Sequence, residues 1–481
     1  MDSKNTFLLQ DTEMFMRGEL DNVTVSGGRI MLDIVQGGHV PYGCYTSPAI
    51  TLPAFDAVRV SWNAGTPPDT AVEAQARVLV DGNWTAWSSF GRWSPYLDRE
   101  GARPATRGPL VLSSDHLNLD SKMGMQVQLR IYLYTKDEKK TPTVSLLGVS
   151  VRAVDVIPSG GRPVNAKLNL MPYTVAPRCP ALRDVMDLAI CLTSLTNRWG
   201  ADILPEEFAL AMRDFQPGQD QRNLSFAAAA AGCWGFPAWA CWADLALLRA
   251  EVRAGYGVIV ALNRRAVEVD AGMPLVRYAA LRGFTNMDGT PRVLLIDPWA
   301  GMSNFDAETQ MPLDEFLVAW NNLALCMRQR QKELPEGRPE RSSVWLRHDK
   351  DSPEGLYQMY LGGTPHPLPD DFCGDVPAPA AATPPEESKT GTSAAAEPTS
   401  DARPAAPDDA PARPVAGGVL AWSIPDERPH ATTAHRTLHF THPVNGGIYL
   451  GTRTAPDEPP TKYTVYAIDT AGRMLVGDVM V

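Results

Sequence analysis

The hydrophobic pattern changes its period twice along the 481-residue chain. Up to about residue 157 it is two: apolar and polar residues alternate in AVRVSW at 57–62, AQARVLV at 74–80, MQVQLRIYLY at 125–134 and VSLLGVSVRAV at 144–154. Alternation puts every second side chain on one face of a strand, the mark of a half-buried sheet. Gly, Pro and Asp clusters separate the runs, so residues 1–157 are predicted to form an all-β sandwich.

After a linker at 158–166, SGGRPVNAK, the spacing becomes helical. Helices are predicted at about 181–198, 203–215, 226–235 and 242–255. The second has Pro205 at its start followed by Glu206 and Glu207, which suit the positive end of a helix. The fourth stops at Gly255. Strands follow at 257–262, 276–284 and 292–299, then a helix at 312–321 and a last strand at 342–348. Helices first and an antiparallel sheet afterwards describe an α+β domain over 167–348.

Residues 374–416 are rich in Pro, Ala, Thr and Glu and can form no apolar face. They read as a disordered linker. Alternation returns in 417–481, as in RTLHFTHP and KYTVYAID, and predicts a small all-β domain. The chain is therefore multidomain: sandwich, α+β domain, linker and β module.

Bulk chemistry narrows the function by exclusion. The net charge of −11 and pI near 5.3 argue against nucleic acid, which needs clustered Lys and Arg. No apolar run reaches the roughly 18 residues of a membrane span. The start, MDSKNTFLLQDTEMF, lacks a basic region followed by an apolar one. That predicts a cytoplasmic protein, or a secreted one whose signal has been removed. The seven cysteines (44, 179, 191, 233, 241, 326 and 373) are scattered without C-x-x-C pairs, so neither a zinc site nor a disulfide framework is expected. His435, His439 and His442 fall close together, but no acidic or Cys partner stands at ligand spacing. No metal and no cofactor are expected.

Trp62, Trp84, Trp87 and Trp93 are dense for so short a stretch. Two readings stay open: an aromatic platform for sugar or peptide, or core packing with a strand-end aromatic.

Several of these segments share order and spacing with a known group. The sandwich contributes SPAI at 47–50, SWNAGTP at 61–67 and WTAWSSFGRW at 84–93. The α+β domain contributes RWG at 198–200, LRAEVRAGYGVIVAL at 248–262, LRGFT at 281–285 and LLIDPWA at 294–300. Over roughly 1–345 the chain resembles bacterial papain-like cysteine peptidases related to the bacteriocin-processing (double-glycine) peptidases. The resemblance implies a papain-like fold and a thiol hydrolase: a Cys attacks an amide, a His moves the proton, an acid orients the His, and an upstream Gln helps bind the oxyanion.

Carried over position by position, that machinery is largely replaced. Counting back from RWG, the Cys position is Asp187. Counting back from LRGFT, the His position is Arg277. The Gln position falls near Ala176, and only the orienting acid remains, as Asp297. Moreover, no histidine occurs between His116 and His348. His348, on the closing strand, would have to be recruited.

Three functions follow as expectations. The first is a catalytically inactive peptidase-like protein that binds a peptide or protein. Here Arg277 is expected to bridge Asp187 and Asp297, reproducing the charge order minus, plus, minus of an active cleft. The second is an active hydrolase with a displaced nucleophile, Cys191 or Cys179, or with an acid–acid pair of Asp187 and Asp297. The third is a glycan-binding protein that uses Trp62, Trp84, Trp87 and Trp93.

Overall fold

The computed structural model describes residues 4–96, 99, 101–176, 182–201, 203–215, 220–264, 274–287, 289–301 and 304–337, together with strands Val344–His348, Tyr360–Leu361, Thr364–Pro365, Thr437–Phe440, Leu450–Arg453, Lys462–Ile468 and Met474–Met480. Two compact units divide the chain, 1–339 and 340–481. The fold is mostly β, with few helices.

The N-terminal half of the first unit is a β-sandwich-like body. Its main strands are β1 (Tyr42–Thr46), β2 (Ile50–Gly65), β3 (Thr70–Val80), β4 (Ser88–Trp93), β5 (Gly124–Thr135) and β6 (Thr143–Ala153). All pair antiparallel: β5 with β3, β1 and the start of β2, and β6 with the rest of β2. An irregularity near Phe55 lets β2 pass from one partner to the other, as strands do where a β-body turns a corner. Gly124 lies there because a Cβ would meet the Phe55 ring at 2.4 Å. Along β3 and β5 the predicted alternation is clean, with Val72, Ala74, Ala76 and Val78 inside.

The second half carries helices α1 (Arg183–Asn197), α2 (Pro205–Met212), α3 (Leu224–Cys233), α4 (Leu245–Arg253) and α5 (Leu313–Ala319). Its strands are β7 (Ala238–Trp242), β8 (Val258–Asn263), β9 (Val276–Met287), β10 (Thr290–Ile296), β11 (Glu308–Pro312) and β12 (Trp320–Met327), in the antiparallel order β7-β12-β8-β9-β10-β11. Val258, Val260, Ala279 and Leu281 face a cluster completed by Leu248 and Val252 of α4 and Phe316 of α5. The alternating residues Ile259, Ala261 and Ala280 are buried too, and α1 packs on β8 and β9. Helix α1 buries every residue from Val185 to Thr196, as a core helix does. Helix α2 starts with Pro205, and the Glu207 carboxylate accepts from the Leu204 N–H at 2.8 Å.

The two halves share one core. From Ala57 onward β2 is buried on both faces, because α3 and β7 lie on its outer side. Helix α3 can do so because Ala227–Ala231 present almost no side-chain bulk. At Gly232 a Cβ would stand 2.7 Å from the Asn63 Cα. Polar groups on this face find partners across the seam. Asn63 donates to Ala228 O at 3.1 Å and Ala238 O at 2.8 Å, and accepts from Ala238 N at 2.9 Å. Ser61 Oγ accepts from Ala240 N at 2.9 Å, and Ser225 Oγ donates to Val60 O at 2.6 Å. The predicted linker at 158–166 is tied down as well: Ser159 O accepts from Ala246 N at 2.9 Å.

The second unit corrects one sequence expectation. Strand Val344–His348 exists, but it pairs with Lys462–Ile468 rather than closing the sheet of the first unit. Alternation in VWLRH identifies a strand and is silent about its partner. Lys462–Ile468 pairs in turn with Met474–Met480, and Thr437–Phe440 with Leu450–Arg453. The linker predicted at 374–416 lies outside the described residues.

Candidate functional site

Asp187 sits in the first turns of α1 and is almost completely buried (1% exposed). Its Oδ2 accepts from Arg222 Nη1 at 2.9 Å, from Tyr278 N at 3.1 Å and from Trp299 Nε1 at 3.3 Å. Its Oδ1 accepts from Leu188 N at 2.7 Å. Arg222 reaches the site from the segment before α3, held by an antiparallel bridge to Arg213. It also grips Asp220 with two N–H groups, at 2.8 and 2.7 Å, and donates to Val276 O at 2.8 Å.

Arg277 Nε donates to Asp297 Oδ2 at 3.0 Å, with both residues buried. Asp297 is anchored at the end of β10, where its own N–H donates to Ala307 O at 2.8 Å. The expected bridge through Arg277 is thus corrected. Arg277 holds Asp297, and Asp187 takes Arg222 instead. Trp299 joins the two acids: its backbone N–H donates to Asp297 Oδ1 at 3.1 Å and its indole N–H to Asp187 Oδ2. At β9 it is the Tyr278 backbone N–H that donates to Asp187. Arg222 and Tyr278 gave no spacing signal in the sequence. Trp299 stands in LLIDPWA, but nothing in that segment marks its indole as a donor.

Ala176 lies next to Val175, whose N–H donates to Pro298 O at 2.8 Å. The four positions carried over from the resemblance therefore converge on one region. Cys191 is also close, but it is fully buried. Burial, then the charges of Asp187 and Asp297, push its thiol well above the ordinary value, the opposite of what a nucleophile needs. Cys179 lies outside the described residues, as do His435, His442 and the side chains of His348 and His439. Among the described residues no group of three or more His, Cys, Asp or Glu could hold a metal ion.

Burial pushes the Asp187 carboxyl up, against the pull of Arg222 and the N–H donors. A carboxyl raised on folding contributes most stability below its unfolded value, about 3.9, and loses that contribution as pH rises through the folded value. Asp187→Asn abolishes this titration. The gap in thermal midpoint between wild type and Asp187→Asn is expected to widen in favour of wild type from about pH 7 to about pH 4. A gap independent of pH would remove the shift.

Beside this network opens a cavity of about 340 Å³, lined among others by Arg183, Asp184, Gln221, Arg222 and Trp299. Arg222 and Trp299 belong to both, so the cavity wall is braced by the carboxylate they hold. The Arg183 guanidinium lies 5.2 Å from the Trp299 ring centre.

The four tryptophans divide. Trp62 and Trp93 are completely buried. Trp62 meets Phe226 edge-on at 6.1 Å, and Trp93 Nε1 donates to Ala211 O at 3.2 Å. Both are seam residues, which corrects their reading as a platform. Trp84 and Trp87 are half-buried. Arg77 lies on both rings, at 4.9 and 4.7 Å, and Arg130 lies on Trp87 at 4.1 Å. Two guanidinium groups thus occupy Trp87, while Trp84, with Arg77 against its ring, lines a cavity.

No helix among the described residues is long and apolar enough to cross a membrane. No curated protein matches the chain. Among solved structures, a chain titled "Structure of infectious bursal disease virus Gx strain" is similar at 12% identity and a TM-score of 0.18, over 31% of this chain and 32% of that one. The match spans about a third of the viral chain. Residues 9–151 match the family model described as the peptidase C39 N-terminal domain, which supports a relation to the C39 peptidases.

Proposed function

We propose that the α+β half is a papain-like cysteine-peptidase core whose catalytic set has been replaced, and that the chain works as a binding module for a peptide or protein. The observation that carries this reading is Asp187. It occupies the position given to the nucleophile by the resemblance, and it is a buried carboxylate saturated by Arg222, Tyr278 and Trp299. A carboxyl group so held is a structural hydrogen-bond acceptor. The position assigned to the proton carrier is Arg277, bound to Asp297, and a guanidinium stays protonated throughout the working pH range. Cys191, the displaced nucleophile of the competing reading, has no solvent access and a raised thiol pKa.

The binding surface under this reading is the cavity beside Asp187, whose walls offer Arg183 to carboxylates, Asp184 to cations, and Trp299 to apolar groups. A displayed random peptide library panned on the full chain tests it. Enriched sequences are expected to bind wild type and to lose about tenfold in affinity with Arg183→Glu, an exposed wall residue. Failure to enrich any sequence, or binding indifferent to Arg183→Glu, would overturn the assignment of the cavity.

A further inference from the structure

A second cavity, of about 490 Å³, opens at one end of the sandwich, lined among others by Asp81, Asn83, Trp84, Thr85, Asp120 and Lys122. It lies far from the Asp187 region in sequence and shares no lining residue with it. We propose that it is a binding site for a neutral sugar, with Trp84 as the stacking surface.

The local backbone builds it from two turns. Asp81 and Gly82 adopt left-handed φ values of 49° and 78°, which reverse the chain from β3 into the short strand Asn83–Trp84. Gly108, at φ 59°, turns the chain again, and Pro109 after it joins the lining. An ion pair between Lys122 Nζ and Asp81 Oδ2, at 2.7 Å, ties one turn to the loop after Leu119. Trp84 is held by its pairing with Leu79 and by the Arg77 guanidinium on its ring.

The chemistry of the walls selects the ligand. Asp81 Oδ1, Asn83 Oδ1 and Asp120 Oδ2 have no hydrogen-bond partner among the described residues, while Asp81 Oδ2 accepts from Lys122 and Asp120 Oδ1 from Ser121 Oγ at 3.3 Å. The open groups are thus mainly acceptors, and they call for a ligand with several donors. Two carboxylates disfavour an anion. The indole offers a flat apolar surface beside these acceptors, and concave sites of this kind use a few placed polar groups to orient a ligand on an apolar wall. A pyranose matches: its C–H face lies on the ring while its hydroxyls donate to the rim. This also explains why Trp84 stands apart from Trp62 and Trp93, which are buried, and from Trp87, which Arg77 and Arg130 cover.

Saturation-transfer NMR on the full chain, with glucose, galactose, mannose, N-acetylglucosamine, cellobiose and chitobiose as probes, tests the site. At least one probe is expected to receive saturation on its ring C–H protons. Trp84→Ala is expected to weaken that probe about tenfold. Asn83 is exposed, so Asn83→Ala keeps the fold and is expected to weaken it several-fold. Three outcomes overturn the proposal: no transfer to any saccharide, equal binding by both variants, or binding of tetramethylammonium in place of every sugar, which would make the site a cation pocket.

Discussion

Asp187→Ala is expected to destabilise the first unit by about 2–6 kcal/mol and to lower its thermal midpoint, followed by circular dichroism. The substitution removes a buried carboxylate on which Arg222 Nη1, Tyr278 N and Trp299 Nε1 converge. Arg222 keeps Asp220 and Val276 O, so its charge is not stranded. The backbone N–H of Tyr278 and the indole N–H are left without an acceptor, and each unsatisfied buried donor costs about 1–3 kcal/mol. Asp187→Asn keeps one oxygen in place and is expected to cost much less. If Asp187→Ala melted like wild type, the carboxylate would not be the pivot of the network.

Asn63→Ala is expected to be as damaging for a different reason. One amide satisfies Ala228 O, Ala238 O and Ala238 N across the seam between β2 and the α3–β7 layer. Truncation leaves Ala238 N and Ala238 O without their partner and takes one of two donors from Ala228 O, which is also bonded within the helix, and is expected to cost about 3 kcal/mol. Because the seam joins the two halves, limited proteolysis is the sharper readout: the 158–166 segment is expected to be cut far faster in the variant. Unchanged cleavage would mean that the halves do not depend on this contact. The same argument makes residues 1–157 a poor independent fragment, since Trp62, Trp93 and Asn63 all look into the second half.

Much of the β architecture was legible because a sheet with one wet face writes a period of two into the chain. Strands β3 and β5 keep that pattern in the fold. In β2 the pattern misled. Arg59, Ser61 and Asn63 alternate with Val58, Val60 and Trp62, which reads as a wet face, yet all six are buried. Polar residues mark a surface that needs hydrogen bonds, and here another layer supplies them instead of water. The helices were found to within a few residues, since α1 and α4 carry apolar spacing and recognisable starts and stops. The site was half legible. Asp187, Arg277 and Asp297 came from the resemblance, but Arg222 and Tyr278 reach Asp187 through tertiary contacts that no local spacing encodes.

The most direct test of the central claim is native treatment of the full chain with iodoacetamide and a peptidase-type epoxide, read by intact mass and peptide mapping, alongside hydrolysis of a peptide library. The expected result is no fast labelling at Cys191 or Cys179 in the folded protein and no turnover. Stoichiometric labelling of either cysteine faster than free thiol, with peptide cleavage abolished by changing that cysteine to alanine, would contradict it.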